Sequence, residues 1–165
     1  SPAPTFCAAI VEQAARIVVD EDMADHVDLN FGCPVPKVTR RGGGSALPWK
    51  TDLFREIIQR VVKVCSTANI PVTAKIRVGI DHSHETFMEA GHIAQEEGCA
   101  AVTLHARTTA EYYGGHSDWS RIGELVGALG IDAAVIGRAT GRSRKHIAAA
   151  RKAAALDPIE ALRYQ

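Results

Sequence analysis

Hydrophobic residues recur along this chain with two different periods. Ile10, Ala14, Ile17 and Val18 fall on one face of a helix. Leu53, Phe54, Ile57, Val61 and Val64 predict a second helix, which Thr51 or Asp52 can cap at its start. A third helix is predicted over about 85–97, with Gly98 suited to its C-terminal cap. A fourth carries Ile122, Leu125, Val126 and Leu129, opened by Asp118 and closed by Gly130. Between the helices, short segments read as strands: 27–31, 72–77 introduced by Pro71, 101–106 and 133–136. Strands that alternate with helices imply βαβ units and a parallel sheet.

The first three strands share a finer pattern. Apolar residues point one way, and Asp28/Asn30, Thr73/Lys75/Arg77 and Thr103/His105/Arg107 point the other. A doubly wound sheet needs two apolar faces. A barrel covers one face with helices and turns the other inward, with its active site at the C-terminal ends of the strands. The fold expected is therefore α/β, a partial TIM-type (β/α) barrel of about four parallel βα units. Four units do not close a barrel of eight. Two domains are expected: a partial barrel over 1–137 and a divergent basic helical tail over 138–165.

Composition narrows the class. Of 165 residues 46% are hydrophobic, enough for a core, and 19 basic residues balance 19 acidic ones. Net charge thus gives no argument for a nucleic-acid partner. Locally the charge is uneven. Residues 12–28 are mostly acidic, while 138–152 hold Arg138, Arg142, Arg144, Lys145, Arg151 and Lys152 without an acid. No apolar run reaches membrane-spanning length. Cys7, Cys33, Cys65 and Cys99 are too far apart for a zinc motif, and a reducing cytoplasm is the compartment expected. The start, Ser1-Pro2-Ala3-Pro4, is neither a signal peptide nor an initiator methionine, which suggests a beginning inside a longer reading frame.

Cys33 lies between a glycine and a proline just after a strand, in Asn30-Phe31-Gly32-Cys33-Pro34. A thiol there can donate a proton or attack as a nucleophile. The following Lys37, Arg40 and Arg41, with Gly42-Gly43-Gly44, could approach an anionic backbone or form a solvated turn. Lys75 and Arg77 on one strand, with His105 and Arg107 on the next, would be expensive to bury unpaired. Either an anionic ligand or acids such as Asp28 could offset that. His82 and His84 read as an exposed loop before a metal site, and no metal is expected.

These segments resemble the bacterial-type tRNA-dihydrouridine synthases. The run DLNFGCPVPKVTRRGGGSAL over 28–47 is the most specific part, joined by 72–77 and by 104–108 through Tyr112, Gly114 and Asp118-Trp119. The likeness extends over roughly 10–137. It implies a flavin-dependent barrel in which FMN, reduced by NADPH, passes a hydride to C6 of a tRNA uracil while a cysteine protonates C5. It implies that Cys33 is the catalytic proton donor and that Asn30 faces the uracil and flavin. It also implies that Lys75 and His105 contact the flavin, with Arg77 and Arg107 near the site.

The family's first barrel strands have no counterpart before Ile10. After Val135-Ile136-Gly137 the family's Asn-Gly-Asp is replaced by Arg138-Ala139-Thr140, which suggests a frameshift or a deletion. A fragment without the first strands and the C-terminal helical domain is expected to hold flavin weakly and to turn over no tRNA. Two further readings stay open: another flavin-dependent barrel oxidoreductase acting on a small-molecule alkene, and an inactive truncated product.

Overall fold

The computed structural model describes residues 7–130. They fall in two compact units, one through His116 and one from Ser117. In the first, the order is α1 (Ala8–Asp20), β1 (Val27–Phe31), α2 (Pro36–Thr39), a 3-10 helix (Gly44–Trp49), α3 (Thr51–Ser66), β2 (Val72–Arg77), α4 (Phe87–Glu96) and β3 (Ala101–His105). The second unit contributes α5 (Ser120–Ala128).

The three strands form one parallel sheet in the order β1-β2-β3. Each pair is joined through a helical crossover, the connection that parallel strands require. This is a segment of a (β/α) barrel, as the alternation predicted. The fourth predicted strand, 133–136, and the domain boundary at 137 lie outside the described residues. No described helix is long and apolar enough to cross a membrane.

The core lies on one face of the sheet. Val72, Ala74 and Ile76 of β2 are buried there, with α3 contributing Phe54, Ile57, Ile58, Val61 and Val64. From α4 come Phe87, Ala90, Ile93 and Ala94. Phe31, at the end of β1, meets Phe54 edge to face at 4.7 Å between ring centres. Burying side chains of this size contributes about 1.5–3 kcal/mol each. The other face is polar: Asp28, Asn30 and Thr103 are exposed, and Thr73, Lys75 and His105 are half-buried.

Helix ends follow the predicted chemistry in part. Gly98 has φ +90° and follows α4, and the Cys99 amide bonds back to the Ala94 carbonyl at 2.9 Å. The start of α3 differs from expectation. Lys50 takes the cap position with no side-chain bond, and Thr51 and Asp52 lie inside the first turn. Asp118 accepts from the Ser120 amide at 3.1 Å, one residue ahead of the cap position of α5.

Arg77 ends β2 on the polar parity of the strand, yet it is only 2% exposed. Its Nε donates to the Gly32 carbonyl at 2.9 Å, and its Nη1 donates to the carbonyls of Thr108 at 2.9 Å and Tyr112 at 2.7 Å. One guanidinium thereby ties the loop after β1 to the loop after β3. Tyr112 has φ +56°, a conformation disfavoured for a side-chain-bearing residue, and Arg77 holds its carbonyl in place. Arg77→Met keeps most of the volume and removes all three bonds. It should lower unfolding stability by about 2–4 kcal/mol, read from denaturant midpoints. An unchanged midpoint would show that the loops are held by other contacts.

Candidate functional site

Because β1, β2 and β3 run parallel, the loops after them emerge at one rim. The register aligns Asn30 with Lys75 and Lys75 with Thr103, and it aligns Arg77 with His105. Cys33 lies just beyond Phe31, the end of β1. The rim therefore gathers Cys33, Asn30, Lys75, Arg77 and His105 from segments far apart in sequence.

The Cys33 loop is held rigidly from behind. Its carbonyl accepts two bonds from Ser45, from the backbone amide at 3.0 Å and from Oγ at 3.0 Å. Ser45 is buried, and its Oγ accepts from Thr109 Oγ1 at 2.8 Å. Gly44 makes this approach possible. It has φ +55°, and a Cβ there would overlap the Cys33 carbonyl oxygen and come within 3.1 Å of the Cys33 Cβ. The glycine run after the cysteine is thus a backing for the cysteine loop. Sequence reading saw its glycines and missed Ser45 and Thr109, because their partners lie 12 and 64 positions away.

On the open face, the Gly32 amide donates to Asn30 Oδ1 at 3.0 Å and fixes that side chain. Lys75 lies alongside: a Cβ at Gly32 would be 3.3 Å from Lys75 Nζ. Among the described residues the Lys75 side chain has no ion pair or hydrogen bond. His105 Nε2 lies 3.1 Å from Arg107 Nη1. Burial, followed by the charges of Arg77, Lys75 and Arg107, lowers the His105 pKa below the usual histidine value, while Glu111 opposes the shift.

Both arginines near the site bond to backbone carbonyls. Arg77 is buried against three carbonyls, and the charge field that reaches it includes Cys33. Arg107 lies beyond the end of β3, and it donates to the carbonyls of Gly114 at 3.1 Å and Gly115 at 3.2 Å. Asp28 pairs with neither; it accepts from Thr73 Oγ1 at 2.6 Å.

The remaining candidates are structural. His84 Nδ1 lies 2.8 Å from Asp81 Oδ1, and His82 is 3.8 Å from Glu111. Among the described residues no group of three or more possible ligands could hold a metal ion. All four cysteines are free. Cys65 is buried, which raises its pKa, and burial plus the Asp28 charge pushes Cys99 up to about 11.

Gly44→Ala tests the backing. Strain at positive φ and the displaced Cys33 carbonyl should together lower stability by about 2–4 kcal/mol. The same variant should change the rate at which a thiol reagent labels Cys33. A Gly44→Ala chain with unchanged stability and labelling would mean that the loop tolerates the side chain.

The chain matches the family profile described as dihydrouridine synthase (Dus) over residues 7–152. It is 56% identical over 112 residues to a probable tRNA-dihydrouridine synthase of Mycobacterium leprae, a match covering 68% of this chain and 29% of that protein. A probable tRNA-dihydrouridine synthase of Treponema pallidum is 38% identical over 120 residues, covering 72% of this chain and 35% of the relative. tRNA-dihydrouridine synthase B of Xanthomonas campestris is 39% identical over 119 residues, again 72% and 35%. The chain thus spans about a third of the length of these relatives. Family profile, relatives and parallel βα architecture agree, and the chain belongs to the dihydrouridine synthase family.

Proposed function

We propose that this chain forms the part of a tRNA-dihydrouridine synthase that holds the reacting uridine, with Cys33 as proton donor. The observation that carries this reading is the rim itself: a braced cysteine loop beside Lys75, which has no partner among the described residues, and an imidazole of lowered pKa.

The donor set fits a flavin. Reduction places negative charge on the pyrimidine edge of the ring, and a nearby cation stabilises it. Lys75 is a cation on the open face with no partner among the described residues, and Gly32 leaves the space beside its Nζ clear. Asn30 and His105 complete the polar lining. When bound, FMN reduced by NADPH would supply the hydride for C6 of the uracil. Cys33 gives its thiol proton to C5, so one hydride and one proton saturate the double bond. Arg77 and Arg107 keep the loops in place around these groups. A tRNA substrate sets this chemistry in the cytoplasm, where a free thiol stays reduced.

The substrate class is argued from charge. Lys37, Arg40, Arg41 and Lys50 are all exposed beside the Cys33 loop. No acid occurs between Leu29 and Thr51, and none of the four pairs with a described acid. A small alkene does not need such a surface, whereas a polyanionic RNA backbone does.

One test uses a chimaera in which the matching segment of this chain replaces that of the full-length Mycobacterium leprae relative. It should form dihydrouridine on unmodified tRNA with FMN and NADPH. Cys33→Ala in that chimaera should retain flavin and NADPH oxidation but lose about 10²–10⁴-fold in dihydrouridine formation, the usual scale for a lost general acid. Full yield from the alanine variant would remove Cys33 from the reaction.

A second test reads the basic surface alone. The slope of log affinity for tRNA against log salt should flatten by about one for Arg40→Ala and again for Arg41→Ala. Unchanged slopes, with Cys33-dependent reduction of a small alkene, would favour the small-molecule reading.

A further inference from the structure

We propose that Arg107 is a positioning residue that fixes His105 in the neutral tautomer with its proton on Nδ1. The rim then offers a hydrogen-bond donor to an acceptor atom of the bound ligand. The identity of that ligand rests on the flavin reading above, whereas the tautomer does not.

The argument begins with what an arginine can do. A guanidinium has five N–H donors and no acceptor. The 3.1 Å contact between Arg107 Nη1 and His105 Nε2 is a hydrogen bond only if Nε2 carries a lone pair. A neutral imidazole with its lone pair on Nε2 has its proton on Nδ1. The Nε2–H tautomer, or the imidazolium, would set N–H against N–H.

Arg107 is not free to swing away. Its Nε is held by the Gly114 carbonyl at 3.1 Å and its Nη2 by the Gly115 carbonyl at 3.2 Å. The planar fork is thereby oriented before it meets the histidine. Within the backbone, the Arg107 amide donates to the His105 carbonyl at 2.7 Å, a tight turn that brings the two side chains together.

The surroundings disfavour the charged ring. Burial acts first, followed by Arg77 and Lys75 from β2 and by Arg107 from the loop, against the carboxylate of Glu111. Nδ1 has no partner among the described residues, and His105 is only half-buried. The proton is thus available to a ligand carbonyl or to a nitrogen with a lone pair. A histidine without this constraint would populate both tautomers, and part of the population would present a lone pair instead of a donor.

The test needs neither flavin nor turnover. In the full chain labelled with ¹⁵N-histidine, two-dimensional NMR distinguishes a proton-bearing nitrogen from one with a lone pair, and loss of signals in His105→Gln assigns the ring. The wild type at neutral pH should show a protonated Nδ1 and an unprotonated Nε2. Arg107→Lys retains a donor and should keep that pattern. Arg107→Met should shift His105 toward the Nε2–H form and raise its titration midpoint.

A wild-type ring protonated on Nε2, or on both nitrogens at neutral pH, overturns the proposal without recourse to any variant. So does a folded Arg107→Met chain with an unchanged tautomer. Adding FMN separates this inference from the flavin reading. A correct tautomer whose Nδ1 signal ignores FMN would count against the flavin contact and leave the Arg107–His105 assignment standing.

Discussion

The rim depends on one buried cation. Arg77 is almost fully enclosed, and an enclosed guanidinium is tolerated only where its donors meet acceptors. Those acceptors are main-chain carbonyls from the loops after β1 and β3. The need to satisfy Arg77 therefore fixes where both loops run. Gly32, immediately before Cys33, is one anchor, and Tyr112, in its left-handed conformation, is another. The loop that carries the thiol and the loop that carries Arg107 are tied through the same side chain.

The electrostatic consequence differs from a simple count of charges. The sequence sets two cations on each of two neighbouring strand ends, which invites an anionic ligand to balance them. In the folded chain Arg77 and Arg107 direct five bonds to backbone carbonyls. The pKa of His105 is lowered by burial and by the neighbouring cations, which disfavours its charged form. Lys75 remains as the ammonium on the open face.

What the sequence made legible was local. Period and alternation located α1, α3, α4, α5 and the three described strands, and they assigned the polar face of the sheet. Gly98 announced the end of α4. The short α2 and the 3-10 helix over 44–49 carried no such signal. A four-residue helix shows no period, and Pro48 sits inside the 3-10 helix. The cap of α3 was misplaced because Lys50 fills that position without using its side chain. Arg77 shares the parity of Lys75, so periodicity alone cannot separate a loop-tying guanidinium from a lysine that has no described partner. That distinction comes from Gly32, Thr108 and Tyr112, residues 31 to 45 positions away. The Gly-Cys-Pro setting singled out the Cys33 loop in the sequence, whereas the Ser45 bonds that brace it carried no signal there.

The same logic explains why the bracing is made of backbone. A carboxylate in place of the carbonyls would also satisfy the arginines, but it would add negative charge next to a thiol and to the lysine of the open face. Carbonyl dipoles meet the hydrogen-bonding demand of a guanidinium without a full opposing charge. Glu111, the carboxylate that does approach, is already engaged: its Oε2 accepts the Thr108 amide at 2.6 Å, which lowers its own pKa. The guanidinium charges of Arg77 and Arg107 are thus left without a carboxylate partner among the described residues while both side chains are held in place. For the reaction proposed above, such a preoriented field would stabilise developing negative charge without reorganising as it forms.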